Sequence, residues 1–397
     1  MLVTDAETRM AIWIMKSLAK RQIRVVCASD TPWAASFFSR YCGGKVLYPS
    51  YGENANRFIT ALQAIVRKRK FDTLIPSTDP VLLAISENRE QLRRYVNLPF
   101  PSHESVLKAL DKSLTIQTAI ENDVPIPRTY FVKNDKDLLS VSKVIKYPVA
   151  VKPRFSHARQ NGRMLMRRST YASNRPQLIR AYRMIHKDFP YPLVQEYVHG
   201  QNYSVAVLFN HGNLVAACCI KVYRGTPVTG GTSVLRESVP LDPVMLQHST
   251  RLLKALDWHG IAEVEFKLDS QDLQPKLMEI NARFWASLDV AIKSGVDFPY
   301  MLYCLSLDGK VKPAFNYRTG VKSRWLMGDM QYLMTILSGW QRIKGVPRPS
   351  RSQVLRDFLR FYEPDIHYDL VDLDDPLPFF PAEITHLLRI ARARKRL

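Results

Sequence analysis

The sequence predicts an α/β chain that gives way to an α+β one: a parallel, helix-covered sheet first, then a mainly antiparallel region. Two observations predict it. Up to Pro101, short apolar runs alternate with stretches of helical spacing, the pattern of a parallel sheet covered on both faces. From Thr129 the apolar runs lengthen, and the turn Asn210-His-Gly-Asn separates two of them, which reads as a hairpin. A chain of 397 residues has room for two or three domains with large cores.

The elements follow in order. Residues 2–4 form a short strand. Residues 6–21 have helical spacing, with Met10, Ile14, Met15 and Leu18 on one face. Residues 23–28 and 45–48 are strands. Residues 54–70 repeat Phe58, Leu62, Ile65 and Val66 and are helical. Residues 73–76 are a strand ended by proline, and 79–95 a helix capped by Thr78 or Asp79. Ligands of such sheets sit at the carboxyl ends of the strands, where Ser77-Thr78-Asp79 falls. The first strand runs into Asp5-Ala-Glu-Thr-Arg with no glycine-rich turn, so this unit is not expected to hold a dinucleotide. A helix over 111–123 is stopped by the prolines of Val124-Pro-Ile-Pro. Strands are expected at 149–152, 164–167, 193–197, 204–209, 214–223 and 262–268. The end of the chain holds an apolar, aromatic stretch at 331–340, a proline-rich link at 346–350, acidic residues over 365–375 and a basic amphipathic helix over 384–397.

Composition narrows the class. No apolar run approaches the roughly 20 residues that span a bilayer, and the first residues lack the pattern of a signal peptide. Cys27, Cys42, Cys218, Cys219 and Cys304 show no metal-ligand spacing, which suits free thiols in a reducing cytoplasm. Lys and Arg number 57 against 36 Asp and Glu, a net +21. Such a field attracts polyanions or anionic substrates, or serves solubility alone. No nucleic-acid-binding motif is evident.

The chemistry concentrates in two runs. In Leu277-Met-Glu-Ile-Asn-Ala-Arg, strand alternation puts Glu279, Asn281 and Arg283 on one face, with Met278 and Ile280 turned to a core. In Glu263-Val-Glu-Phe-Lys the shared face carries Glu263, Glu265 and Lys267. Paired carboxylates with an amide oxygen suit Mg²⁺; a solvated face of alternating charge is the competing reading. Lys112 opens a helix and Lys152 ends a buried strand, the place for a phosphate-binding point charge. Leu193-Val-Gln-Glu-Tyr-Val-His-Gly is an apolar strand whose edge can offer backbone groups to a base.

Taken in order, Lys112, Lys152, Gln195-Glu-Tyr-Val-x-Gly, Val264-Glu-Phe and Glu279-Ile-Asn-x-Arg resemble the ATP-grasp superfamily. Its members include D-alanine–D-alanine ligase, biotin carboxylase and the large subunit of carbamoyl-phosphate synthetase. The resemblance covers about residues 1–310 and points to the carboxylate–amine ligase-like group. It implies an ATP-grasp fold in three parts: a preATP-grasp αβ domain over 1–108, a two-lobed grasp over 109–310 and a carboxy-terminal helical extension over 311–397. It further implies that Lys112 and Lys152 contact ATP phosphates and that Glu196, Tyr197 and Val198 form the adenine hinge beside Gln195. Glu265, Glu279 and Asn281 would bind Mg²⁺ (or Mn²⁺), and Arg283 would stabilise an acyl-phosphate step. Two features depart from the family. Asn202 stands where an acidic ribose ligand is usual, and the loop after Lys152 carries Arg154, Arg159 and Arg163 with the single glycine Gly162.

The expected reaction is ADP-forming: a small-molecule carboxylate is activated by ATP and an amine attacks, with anionic substrates suggested by the charge. Lys221 and Arg224, in the loop before Gly230 and Gly231, are expected near phosphate or acceptor. Ser39-Arg40-Tyr41 and Asp79 are expected on the substrate side, and His157, His199 and His259 are read as incidental. The sequence leaves open a homodimer, docking of 384–397 on a membrane surface, and two other functions. These are a non-catalytic ATP-binding scaffold and a peripheral membrane enzyme acting on an anionic lipid or glycan. The expected location is the cytoplasm.

Overall fold

The structure is a computed structural model that describes residues 1–160, 163–340 and 343–394. Gly162 of the loop after Lys152 and residues 395–397 of the basic helix lie outside the described residues.

The amino-terminal sheet is parallel, in the order Gly44–Leu47, Val26–Ser29, Leu2–Val3, Leu74–Ile75. Helix Arg9–Ala19 starts where the Thr8 hydroxyl accepts the Ala11 N–H, satisfying an otherwise orphaned donor. Its residues Ala11 to Leu18 are all buried, because helices from the rest of the chain, Leu288–Ser294 and Phe298–Asp308, cover its outer side. The single helix expected over 79–95 is two, Asp79–Glu87 and Arg89–Leu92. Asn88 separates them, its side-chain amide donating to the Ala84 carbonyl at 2.9 Å, the local competition that makes asparagine a helix breaker.

Two mainly antiparallel sheets follow, the larger with a parallel pair at one edge. The smaller runs Thr129–Phe131, Leu193–Glu196, Val149–Lys152, Thr170–Ala172. The larger has seven strands in the order Pro275–Asn281, Gly260–Asp269, Gly200–Asn210, Asn213–Thr226, Thr232–Val239, Lys322–Arg324, Ile366–Tyr368. The expected hairpin turns at His211 and Gly212, both with positive φ, the conformation a two-residue turn needs. The chain after Lys152 contains two paired strands, His157–Gln160 against Arg163–Met166.

The segment beyond residue 310 is woven into this body. Two of its strands, Lys322–Arg324 and Ile366–Tyr368, complete the large sheet. Its acidic stretch crosses back to the amino-terminal unit. Asp369 takes Arg9 and Arg236, both at 2.5 Å, and Asp289 takes Arg236 at 2.8 Å. Lys16 reaches Asp372 at 3.0 Å and Asp375 at 3.1 Å. Ser39, Arg40 and Tyr41, expected on the substrate side, bind Asp375 and Asp374 instead. They are tether points, because the acidic strap supplies the complementary charge that the local sequence alone does not reveal.

Burial alone would raise the Asp369 carboxyl, but the guanidiniums of Arg236 and Arg9 hold it well below the usual carboxylate range. Its stabilisation is therefore complete above the unfolded value of about 3.9 and is lost as pH falls through the lower folded value. Arg236→Ala leaves two carboxylates buried without their shared cation, and should lower unfolding free energy by about 3–5 kcal/mol. Denaturant unfolding at neutral pH checks this, and Asp369→Asn should flatten the loss of stability below about pH 4.

Candidate active site

The strands Gly260–Asp269 and Pro275–Asn281 pair antiparallel, with Glu263 opposite Asn281 and Glu265 opposite Glu279. Like charges placed directly across a ladder repel. Removal from water, then the neighbouring Glu279 and Glu263 carboxylates, push Glu265 well above the usual range. Burial likewise raises Glu263. Asn281 offsets part of this, its side-chain N–H group donating to Glu263 at 2.9 Å and Glu265 at 2.8 Å. The amide oxygen is thereby turned away from the carboxylates.

The alternation expected of this strand breaks before Glu279. A bulge shifts the register, so that Phe266 faces Leu277. Leu277 is therefore buried, and Met278, expected in the core, is only half-buried. A bulge places two residues against one and shifts the period; Glu279 and Asn281 keep their shared face beyond it.

Cations converge on the carboxylates. Lys112 Nζ lies 3.4 Å from Glu279 and donates to Ser156 Oγ at 3.0 Å. Lys152 is buried at its strand end, and burial lowers it to about 8 despite nearby Glu279. Sequence reasoning gave no role to Lys267. It is buried, lowered by burial to about 8, and its Nζ lies 4.5 Å over the Tyr197 ring. The signal was its position two residues after Glu265, on the same strand face.

The start of helix Lys112–Glu121 is held from two sides. Asp111 accepts the Ser113 N–H at 2.9 Å and is gripped by Arg154. The Arg154 carbonyl takes the Lys112 N–H at 2.9 Å. Arg154 thus fixes the lysine's helix, and Arg159 reaches the Glu53 carbonyl at 3.3 Å.

The hinge segment closes the small sheet. Gln195 is buried and donates to Thr129 Oγ1 at 2.8 Å. The Glu196 N–H goes to the Arg128 carbonyl and the Tyr197 N–H to that of Pro148, and Val198 is buried beside them. Asn202 stands opposite Lys267 across the ladder, which puts it on the lysine's face.

Arg283 bridges to the amino-terminal unit. Its Nε donates to Asp79 at 3.0 Å and its Nη1 to the Phe284 carbonyl at 2.9 Å. Burial lowers the pKa of His157, with Asp79 opposing and Arg283 and Lys112 adding to the shift. Asp5 accepts the Ser77 N–H at 3.2 Å, and burial, with Glu7 adding, raises it to about 7. Perturbed groups of this kind concentrate at functional sites.

Two expected residues lie elsewhere. Lys221 pairs with Tyr203, whereas the neighbours Asn202 and Ser204 pair with Lys267 and Glu265. Strand alternation therefore puts Lys221 on the opposite face of the sheet, where its Nζ lies 4.9 Å from the Tyr223 ring. Arg224 is taken by Asp329, with contacts at 2.7 and 2.8 Å, so it fastens helix Leu326–Ser338 to the sheet.

The donor set fits a hard divalent cation that is shared with a polyanion. Among the described residues no group of three or more His, Cys, Asp or Glu forms a complete metal cage. Mg²⁺ needs none, since it commonly takes one or two carboxylates and completes its shell with phosphate oxygens and water.

Comparison with known proteins agrees with this geometry. The sequence model of a family described as "ATP-grasp in the biosynthetic pathway with Ter operon" matches residues 188–328. The carbamoyl phosphate synthase large chain of Saccharolobus islandicus is 22% identical over 249 residues, 61% of this chain and 23% of that protein. That of Sulfolobus acidocaldarius is 24% identical over 264 residues, 64% of this chain and 24% of that one. The chain thus spans about a quarter of the length of these relatives. N5-carboxyaminoimidazole synthetase from Staphylococcus aureus superposes with a TM-score of 0.65 at 14% identity, covering 85% of this chain and 84% of that one. L-amino acid ligase from Bacillus licheniformis gives 0.60 at 15% identity, covering 79% and 77%. At these identities the structural likeness is one of fold.

Lys267→Met should weaken Mg²⁺-dependent ATP binding by about tenfold or more, the worth of a hydrogen bond to a charged group. Lys221→Met should leave it unchanged. Calorimetric titration with a non-hydrolysable ATP analogue measures both.

Proposed function

We propose that this chain, which belongs to the ATP-grasp superfamily, is an ATP- and Mg²⁺-dependent ligase that activates a carboxylate as an acyl phosphate for attack by an amine. The observation that carries the reading is the Glu265–Glu279 pair facing Lys112, Lys152 and Lys267. Such a mixed cluster is unfavourable alone and is completed by a metal–polyphosphate.

The residues divide the work. Glu265 and Glu279 would hold Mg²⁺, joined by the Asn281 amide oxygen once that amide turns over from the orientation that donates to Glu263 and Glu265, and Mn²⁺ would accept the same oxygen ligands. The bound metal supplies charge neutralisation at the transferring phosphoryl group. Lys112, Lys152 and Lys267 would bind phosphate oxygens, and the edge at Glu196 to Val198 would take the base, with Asn202 at the ribose. A carboxylate oxygen of the substrate attacks the terminal phosphorus and ADP leaves. The amine then attacks the acyl carbon and phosphate leaves. Arg283, oriented by Asp79, stabilises the charge on the activated carboxyl group.

The fold neighbour whose name states the nearest chemistry is the L-amino acid ligase. The substrates here are taken as a small carboxylate and an amine, at least one of them anionic. An ATP supply and free cysteines support a cytoplasmic location. No described helix is long and apolar enough to cross a membrane.

A phosphate-release screen over amino acids and small carboxylates, with mass spectrometry of products, tests the reaction. ADP should form only with Mg²⁺ and a carboxylate, and hydroxylamine offered as the nucleophile should be trapped as a hydroxamate. Glu279→Ala should reduce turnover by about a hundredfold or more. Full turnover by a folded Glu279→Ala protein would sink the assignment. ATP binding without turnover on any acid would leave a non-catalytic nucleotide-binding role.

A further inference from the structure

Among the described side chains of the terminal helix Phe379–Arg394, the anchors lie along one side. Glu383 is buried and accepts the Trp325 indole N–H at 2.9 Å. His386 stacks edge-on against the same ring, with centroids 4.5 Å apart, and Phe379 and Ala382 pack on the core. The other side is bare. Phe380, Ile384, Leu387 and Leu388 recur at helical spacing and are each about half exposed or more. Such a stripe belongs against an apolar phase.

The surroundings extend the stripe. The helix packs beside the turn Ala35–Phe38. Trp33 stacks on Phe38 and is 68% exposed. Leu377 is exposed at the same corner, in a shallow cleft with Phe38 and Lys45. Lys45 is itself exposed, its Nζ 5.9 Å from the Phe38 ring. The acidic groups here are already engaged: Asp372 and Asp375 by Lys16, Asp374 by Arg40. The sequence then runs on through Arg389, Arg392, Arg394, Lys395 and Arg396, in a chain of net charge +21.

We propose that this corner, the exposed stripe of the terminal helix with Trp33 and Leu377, docks the protein on an anionic lipid surface. The apolar row enters the boundary between headgroups and acyl chains, and the exposed indole sits at headgroup depth. The basic residues Arg389, Arg392, Arg394, Lys395 and Arg396 of the sequence supply the second, electrostatic attraction that reversible anchoring requires. Charge decides between this occupant and a second copy of the chain. Two copies meeting here would bring two basic helix ends together, whereas an anionic surface complements them.

The test uses the full-length protein and needs no knowledge of the reaction. The chain should co-sediment with vesicles of phosphatidylcholine and phosphatidylserine in equal parts, and stay in solution with phosphatidylcholine alone. Ile384→Glu combined with Leu388→Glu alters only exposed side chains, so circular dichroism should be unchanged. Its affinity for the anionic vesicles should fall about tenfold or more, as should that of a variant with Arg392, Arg394 and Arg396 changed to Glu. Wild-type protein that ignores anionic vesicles would overturn the proposal, and so would folded variants that bind like wild type. A dimer in light scattering that the Ile384→Glu, Leu388→Glu change dissolves, without vesicle binding, would assign the stripe to copy–copy contact instead.

Discussion

The organising constraint in this molecule is the register that sets Glu265 directly opposite Glu279, with Glu263 one pair away. Glu263 and Glu265 are withdrawn from water on this sheet face, with the 37% exposed Glu279 beside them, and such a group opposes folding unless positive charge meets it. The fold supplies that charge from three directions. Lys267 comes from the same strand, Lys152 from the end of a strand in the other sheet, and Lys112 from a helix start. Burial lowers both Lys152 and Lys267, opposed at Lys152 by Glu279 and Glu265 and at Lys267 by Asp269. The two sheets are held to one another's chemistry by this meeting of charge.

A second buried network keeps that arrangement in place from behind. Arg236 lies on strand Thr232–Val239 of the large sheet and binds Asp289 and Asp369. Arg9 brings the amino-terminal helix to the same Asp369. Asp329 does the equivalent for helix Leu326–Ser338, taking Arg224 and Arg324. Buried ion pairs of this kind give little net stability but specify which element lies where. Here they bind the segment around Asp369 to helix Arg9–Ala19.

How far this was legible from sequence depended on distance along the chain. Strand Val149–Lys152 was readable because an apolar run ends in Lys-Pro. The face shared by Glu263, Glu265 and Lys267 was readable because alternation within one strand is local. The bulge beside Leu277 was not, since it belongs to the pairing of two strands. Lys221 was misplaced for the same reason: its face is set by its opposition to Tyr203. Strands Lys322–Arg324 and Ile366–Tyr368 have three residues each, too few to show a period. They exist because the edge of the large sheet offers them a ladder. Arg224 and Ser39–Tyr41 were chemically suggestive, but their partners lie far off in sequence, in Asp329 and Asp374–Asp375.

One contact crosses from the metal strands to the amino-terminal sheet, and it bears on how the two halves cooperate. Arg283 is fixed at Nε by Asp79 and at Nη1 by the Phe284 carbonyl. Its direction is thus set before any substrate arrives, the preorganisation that makes a charged donor effective against a developing anion. Asp79 opens its helix just after Ser77, whose N–H holds the buried Asp5. Asp5 itself sits in a left-handed backbone conformation, φ 54°, a strain kept where the surroundings over-determine it. The carboxyl end of the parallel sheet and the carboxylate-bearing strands therefore share one electrostatic chain: Asp5, the Ser77 amide, Asp79, Arg283. A charge that enters at either end alters the field at the other, so in the proposed reaction the amino-terminal sheet acts together with the strands that carry the carboxylates.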